Sequence, residues 1–290
     1  MPVIDAHIHL QHPEMDLPDI PLFEGFSAIS DDLIADHEEF EIDGAVFVPN
    51  DAEERNLAYC AQAVEGYPGP SAIIGIQAKV DDQVARYRSD VETYGIKGWR
   101  VTGLSGTPES PTDLEIWPLF EEMADRGHCL WIYPHLGEYE LVDEIARLLP
   151  ELKVVYNLLG FPHPGDVAHY ELDEAGLPRI TRWDMPGDFP DEEREMLLES
   201  GKRDNTYVLW GVHLQYSSEQ YPYLDLAQHG RDLVDAFGAN HTAFMTDWPW
   251  MVDSPGYQAC LDMIDEHLPG LSTKERDLIM GGTAASLLDF

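Results

Sequence analysis

The sequence predicts a (β/α)8 barrel with an insertion after the sixth strand, a single TIM-barrel domain over residues 1–290. Three observations predict it. Short runs rich in β-branched and aromatic residues recur eight times down the chain, each bounded by turn residues. Every gap between them has room for the crossover helix that a parallel strand pair requires. Most of those gaps carry apolar residues at three- and four-residue spacing, the mark of an amphipathic helix.

The eight runs cover residues 3–9, 44–50, 71–80, 96–103, 128–135, 153–160, 206–213 and 242–248. Between the first two, residues 31–42 open on Asp31 and Asp32 as capping aspartates and place Leu33, Ile34 and His37 on one side. Residues 53–64 carry Leu57, Cys60, Ala61 and Val64 at helical spacing. Asp113 is expected to cap a helix over 114–124 that ends at Arg126-Gly127, and residues 140–149 form another that stops at Pro150. Nearly continuous apolar strands alternating with helices mean a parallel sheet covered by helices on its outer face. An open doubly wound sheet would want a glycine-rich phosphate loop after an early strand, and the first strand here ends in histidines instead. One segment breaks the rhythm. Residues 161–195 hold Pro162, Pro164, Pro178, Pro186 and Pro190 among many aspartates. Within 160–200 we expect a lid or specificity loop on the C-terminal face, where such barrels keep their active sites.

Composition narrows the function. Fifty-five acidic residues against 17 basic ones give a net charge of −38, spread along the whole chain. A field of that sign repels phosphate backbones, so nucleic acid and anionic membranes are poor partners. Yet 44% of residues are hydrophobic, which excludes a disordered chain. Abundant carboxylates with only five lysines suggest a halophilic protein working in molar salt, where the screening length falls to ~3 Å. The first residues show no secretory signal pattern, and no apolar run approaches the ~18 residues of a membrane span, so a cytoplasmic location is expected. Cys60, Cys129 and Cys260 are far apart without any CxxC, which reads as reduced, buried thiols and excludes a zinc ribbon. The expected partner is a small-molecule substrate, and a homo-oligomer is compatible with the sequence.

Three strand ends carry polar groups suited to chemistry. His7 and His9 close the first run two residues apart, so they share a face and can offer adjacent ligands to one metal. Asp247 closes an apolar strand, a poor place for a carboxylate unless a cation or a proton transfer waits there; a turn cap is the bland alternative. His135 closes the fifth run, where a satisfied strand-end histidine is the ordinary expectation. Each feature alone is unremarkable. Their positions together are specific.

Histidines closing strands one and five and an aspartate closing strand eight resemble the amidohydrolase superfamily, and more narrowly its amidohydrolase-related branch of lactonases, amidohydrolases and nonoxidative decarboxylases. The resemblance spans nearly the whole chain: Ile4-Asp5-Ala6-His7-Ile8-His9, Gly98-Trp99-Arg100, Pro134-His135-Leu136-Gly137, Met245-Thr246-Asp247-Trp248-Pro249 and the closing stretch 275–284. It implies that His7, His9, His135 and Asp247 are metal ligands and that Asp247 also shuttles the proton of the attacking water. Two departures stand out. Asn157 occupies the end of strand six where relatives carry histidine, and Thr283 replaces the usual asparagine before Ala284. Lys97 lies at the start of strand four, too deep to bridge two ions, so one divalent ion is expected, Zn2+ first and Mn2+ or Fe2+ next.

Arg100, His213, Asn157 and Trp248 are the candidate substrate-binding residues; Arg100 would offer its planar fork to a carboxylate. His12 and His163 read as surface residues, and Trp250 as a second aromatic near the rim. The expected activity is hydrolysis of a small lactone, ester or amide bearing a carboxylate, by a metal-activated water. A nonoxidative decarboxylase on the same site is the alternative, and a catalytically inactive barrel acting as a binding protein is the third reading.

Overall fold

The structure, a computed structural model, describes residues 2–14, 27–163, 168–172, 178–183, 189–211 and 213–290. Eight strand paths run in the order expected. β1 (Ile4–Leu10), β2 (Gly44–Pro49) and β3 (Ser71–Ile73) form one parallel sheet. β4 (Gly75–Ile76), β5 (Gly98–Thr102), β6 (Cys129–Tyr133), β7 (Lys153–Tyr156), β10 (Thr206–Gly211) and β11 (Thr242–Met245) form the second, also parallel. β3 and β4 are one path interrupted at Ile74, whose N–H donates to the Phe47 carbonyl (3.0 Å) while the Ile73 carbonyl accepts from Lys97 N–H (2.8 Å). The interruption leaves Gly75 beneath the Trp99 indole, where a Cβ would come within 2.8 Å of Cδ1.

The ring closes between the first and last strands. Ile8 bridges Trp248 in parallel, the Asp247 N–H donates to the His7 carbonyl (3.1 Å) and the His9 N–H to the Trp248 carbonyl (2.8 Å). β1, β2 and β6 are buried at every position, as strands with side chains packed on both faces must be.

The helical layer comprises α1 (Ser30–Glu39), α2 (Glu54–Gly66), α3 (Gln83–Tyr94), α4 (Trp117–Asp125), α5 (Tyr139–Leu148), α6 (Asp191–Ser200), α7 (His213–Tyr216), α8 (Ala227–Phe237), α9 (Tyr257–His267), α10 (Thr273–Asp277) and α11 (Thr283–Leu288). Two cap assignments change. Asp31 and Asp32 sit inside the first turn of α1, where they favour the positive helix end without capping it, and Ile29 takes the N-cap position. Asp113 belongs to a short 3-10 turn, Pro111–Asp113, and α4 begins at Trp117 with Pro118 in its first turn. Within the 160–200 insertion, β8 (Ala168–Leu172) and β9 (Pro178–Trp183) pair antiparallel ahead of α6. The other parts of the expected lid, 164–167, 173–177 and 184–188, lie outside the described residues. Among the described residues no helix is long and apolar enough to cross a membrane.

Candidate metal centre

β1 carries His7 and His9 toward the barrel interior because alternate residues of a strand share a face. Past the end of β11 the backbone turns left-handed at Asp247 (φ +62°), a conformation aspartate tolerates better than most residues. That turn, anchored by the Asp247 N–H on the His7 carbonyl, brings Asp247 Oδ1 to 3.2 Å from His9 Nε2 and 3.6 Å from His7 Nε2. The two Nε2 atoms are 3.3 Å apart, and all three side chains are buried. Among the described residues these three form the group able to hold an ion.

The donor set fits a divalent metal. Nitrogen and oxygen ligands ~2.0–2.1 Å from a tetrahedral zinc stand ~3.3 Å apart, close to all three separations here. His9 Nδ1–H donates to the Val48 carbonyl (2.9 Å), which leaves the Nε2 lone pair facing Asp247. His7 is arranged differently. An indole N–H can only donate, so Trp131 Nε1–H to His7 Nδ1 (3.0 Å) places the proton of the neutral ring on Nε2. Burial, with His9 and Arg100 nearby, holds the His7 pKa well below its ordinary value and keeps the ring neutral. His7 therefore joins the set once the indole leaves Nδ1 and the ring proton moves there, which frees the Nε2 lone pair. Two histidines and one carboxylate leave a coordination position open for water, as catalytic zinc sites do.

His135 stands outside this group. Its half-buried ring is 4.9 Å from that of His163, and its backbone N–H is held by Glu138 (2.8 Å). The ring lies against Gly103 (φ +67°), where a Cβ would meet His135 Cδ2 at 2.2 Å. Arg100 of β5 points inward, its guanidinium 5.5 Å from the Tyr133 ring centre, and its buried Nε has no hydrogen-bond partner among the described residues. The Tyr133 and Tyr216 hydroxyls are bonded to each other, and burial pushes both phenols above their ordinary range.

Asn157 follows β7 and also faces inward, since Tyr156 before it points outward to Ser200 (3.0 Å). The sixth strand stops there, short of the expected 160, because Leu158, Leu159 and Gly160 make a left-handed turn (φ +45°, +57° and +66°). Such a turn costs about 1–2 kcal/mol per non-glycine residue. His229 Nε2–H to the Leu159 carbonyl (2.9 Å) and the Tyr139 hydroxyl to the Gly160 carbonyl (2.7 Å) brace it. Asn157 Oδ1 accepts from the Leu158 N–H (3.1 Å), which fixes the amide's orientation and leaves buried Nδ2 without a partner among the described residues.

Two substrate-binding expectations need correction. His213 is turned to the helix layer, against Trp210 (4.5 Å) and His267 (4.8 Å), because β10 ends at Gly211 and strand alternation no longer directs it. The Trp248 indole donates to Asp36 of α1 (2.7 Å), since the left-handed turn at Asp247 breaks the alternation just before it. Trp250 takes the inner place, 6.1 Å from the His9 ring. Trp131 and Tyr133 were missed as site residues, although they alternate with Leu130 and Ile132 with the same two-residue period that singled out His7 and His9. His163, expected at the surface, sets its ring edge-on to Tyr133 (5.1 Å).

The amidohydrolase family model matches residues 4–290. Among solved structures, a proposed 2-pyrone-4,6-dicarboxylic acid hydrolase from Pseudomonas putida is 18% identical with a TM-score of 0.70, covering 99% of this chain and 97% of that one. An amidohydrolase from Burkholderia multivorans with bound zinc is 15% identical with a TM-score of 0.72, covering 100% of both chains. A dihydroxybenzoic acid decarboxylase from Polaromonas sp. JS666, with bound manganese and the inhibitor 2-nitroresorcinol, is 17% identical with a TM-score of 0.63, covering 99% of this chain and 97% of that one. No protein of curated function matches the sequence.

Proposed function

The chain belongs to the amidohydrolase family, and from that premise we propose that residues 1–290 form one catalytic domain that hydrolyses a small, carboxylate-bearing lactone, ester or amide. The observation that carries the reading is the convergence of His7 Nε2, His9 Nε2 and Asp247 Oδ1 at separations of 3.2–3.6 Å inside the barrel. An ion held there, zinc in our assignment, supplies a Lewis acid for the scissile carbonyl and a water acidic enough to attack at neutral pH. Asp247 accepts the proton of the attacking water and returns it to the leaving group. Arg100, its buried Nε unpartnered among the described residues, pairs the substrate carboxylate, and Asn157 Nδ2 donates to a second acceptor on the substrate. Tyr133 and Tyr216, both buried and hydrogen-bonded to each other, set two phenols beside Arg100. His135 and His163 stand at the mouth, where they meet the substrate rather than the ion. The acidic surface suits a cytoplasm of high salt.

Zinc titration of the metal-free protein should reach close to one equivalent per chain, and the His7→Ala/His9→Ala double variant should abolish it while the fold survives. Two ions per chain, or unchanged binding in that variant, would overturn the site. A screen of lactones, esters, amides and aromatic carboxylic acids then names the reaction. Ring opening or amide cleavage supports hydrolysis, whereas carbon dioxide release moves the assignment to decarboxylation.

A further inference from the structure

Behind the three ligands lies a second set of polar side chains that the reaction above does not use. Asp5 of β1 is fully buried, makes no ion pair with a described residue, and accepts four hydrogen bonds. The Thr246 N–H (3.0 Å) and the His7 N–H (3.4 Å) donate to Oδ1; the Thr246 hydroxyl (2.5 Å) and the Tyr257 hydroxyl of α9 (2.6 Å) donate to Oδ2. The Tyr257 oxygen also lies 3.0 Å from His37 Nε2 of α1, and His37 Nδ1 lies 2.7 Å from the Tyr67 hydroxyl.

The proton positions in this chain follow from counting. The one Tyr257 proton is spent on Asp5, so His37 Nε2–H is the donor to the Tyr257 oxygen. Burial holds the His37 pKa down to about 3, so the ring is neutral and its Nδ1 carries no proton. Nδ1 therefore accepts from the Tyr67 hydroxyl. Every proton in the relay Tyr67–His37–Tyr257 points toward one carboxylate. At its other side that carboxylate grips both the N–H and the hydroxyl of Thr246, the residue immediately before the left-handed turn at Asp247.

We propose that Asp5 is a positioning residue for the metal centre: its carboxylate sets the direction of the buried relay and, through Thr246, holds the turn that aims Asp247 at the histidine pair. The effect on metal affinity rests on the ligand assignment made above; the direction of the relay does not.

Asp5→Asn is the decisive variant. Its amide oxygen can still accept the Thr246 N–H, but the NH2 group replaces the acceptor that the two hydroxyls use. Tyr257 O–H must then turn to His37 Nε2, and the ring proton must move to Nδ1 and donate to Tyr67. Nitrogen-15 NMR of the metal-free protein at pH 8 should show the His37 proton on Nε2 in the wild type and on Nδ1 in Asp5→Asn. Zinc affinity, measured by competition calorimetry on the same preparations, should fall roughly 10- to 100-fold, as for other groups that orient metal ligands. Should Asp5→Asn not fold, Tyr257→Phe serves in its place. It strips His37 Nε2–H of its acceptor, so the proton should again move to Nδ1, and zinc affinity should fall several-fold. A wild-type proton on Nδ1, an unmoved proton in both variants, or zinc affinity within twofold of wild type overturns the inference. A wild-type chain that binds no zinc overturns the metal assignment instead, and the His37 proton alone then decides the relay.

Discussion

Replacing Asp247 with asparagine separates chemistry from architecture because the structure lets almost everything else stay in place. The residue sits at φ +62°, where asparagine is among the best-tolerated side chains, and its N–H to the His7 carbonyl is a backbone bond that the substitution leaves intact. A carboxamide oxygen can still approach His9 Nε2, now 3.2 Å from Oδ1, but an amide accepts no proton from an attacking water. The stability cost should be that of exchanging one turn residue for a near-isostere, under about 1 kcal/mol, which for a chain of this length moves the melting temperature by less than about 4 °C. Loss of general acid–base help should lower turnover by roughly 10²–10⁴-fold. Turnover, zinc content and melting temperature are measured on one preparation, with whichever substrate the screen identifies. Full activity in Asp247→Asn would refute the proton-shuttle mechanism, and a collapse of the melting temperature would show that the residue serves the fold instead.

Acid should destabilise the protein through its buried neutral histidines. His37, ordinarily near 6.5, is held down to about 3, so below pH 6.5 the unfolded chain takes up a proton that the folded one refuses. Stability is present above that pH and lost as pH falls, by about 2 kcal/mol for His37 alone between pH 6.5 and 5. His229, lowered to about 4, acts in the same direction, while Asp5, raised to about 6, gains stability as pH falls and offsets part of the loss. Melting temperatures should drop from pH 7 to 5, and His37→Gln should shallow that slope; an unaltered slope counts against a neutral buried His37. Salt should act the other way, since a net charge of −38 repels itself in dilute buffer. A steep rise in melting temperature toward molar potassium chloride is expected, and a flat profile would reject salt adaptation.

The barrel was legible because its strands are apolar on both faces and alternate with amphipathic stretches, so the rhythm survives from one unit to the next. His7, His9 and Asp247 were legible only in combination: each strand-end polar group alone has an ordinary explanation, and it is their ordered positions that resemble the amidohydrolase pattern. What failed was direction. His213 and Trp248 were read as if they continued their strands, yet each follows a point where the backbone leaves extended geometry, after Gly211 and at Asp247. The left-handed turn at Leu158–Gly160 has no local sequence signature beyond its final glycine, because its support comes from Tyr139 and His229, distant along the chain. The relay behind Asp5 was equally hidden. Tyr67 follows α2, His37 lies in α1 and Tyr257 opens α9, and no local spacing relates them.

The seam that closes the ring joins parts of the chain far apart in sequence: Asp5 and Thr246, bonded across it, are 241 positions apart. During synthesis the histidine pair on β1 is ready long before Asp247 exists, so no shorter nascent chain can assemble the complete ligand set. An ion bound by these three residues would clasp the two ends of the long loop between them. Loop entropy grows only logarithmically, by about 0.6 kcal/mol for each doubling of length, so so long a closure costs little more than one of half its length. Metal occupancy thereby reports whether the circle of strands has been completed, and a chelator should loosen the meeting of first and last strands before it disturbs the strands opposite.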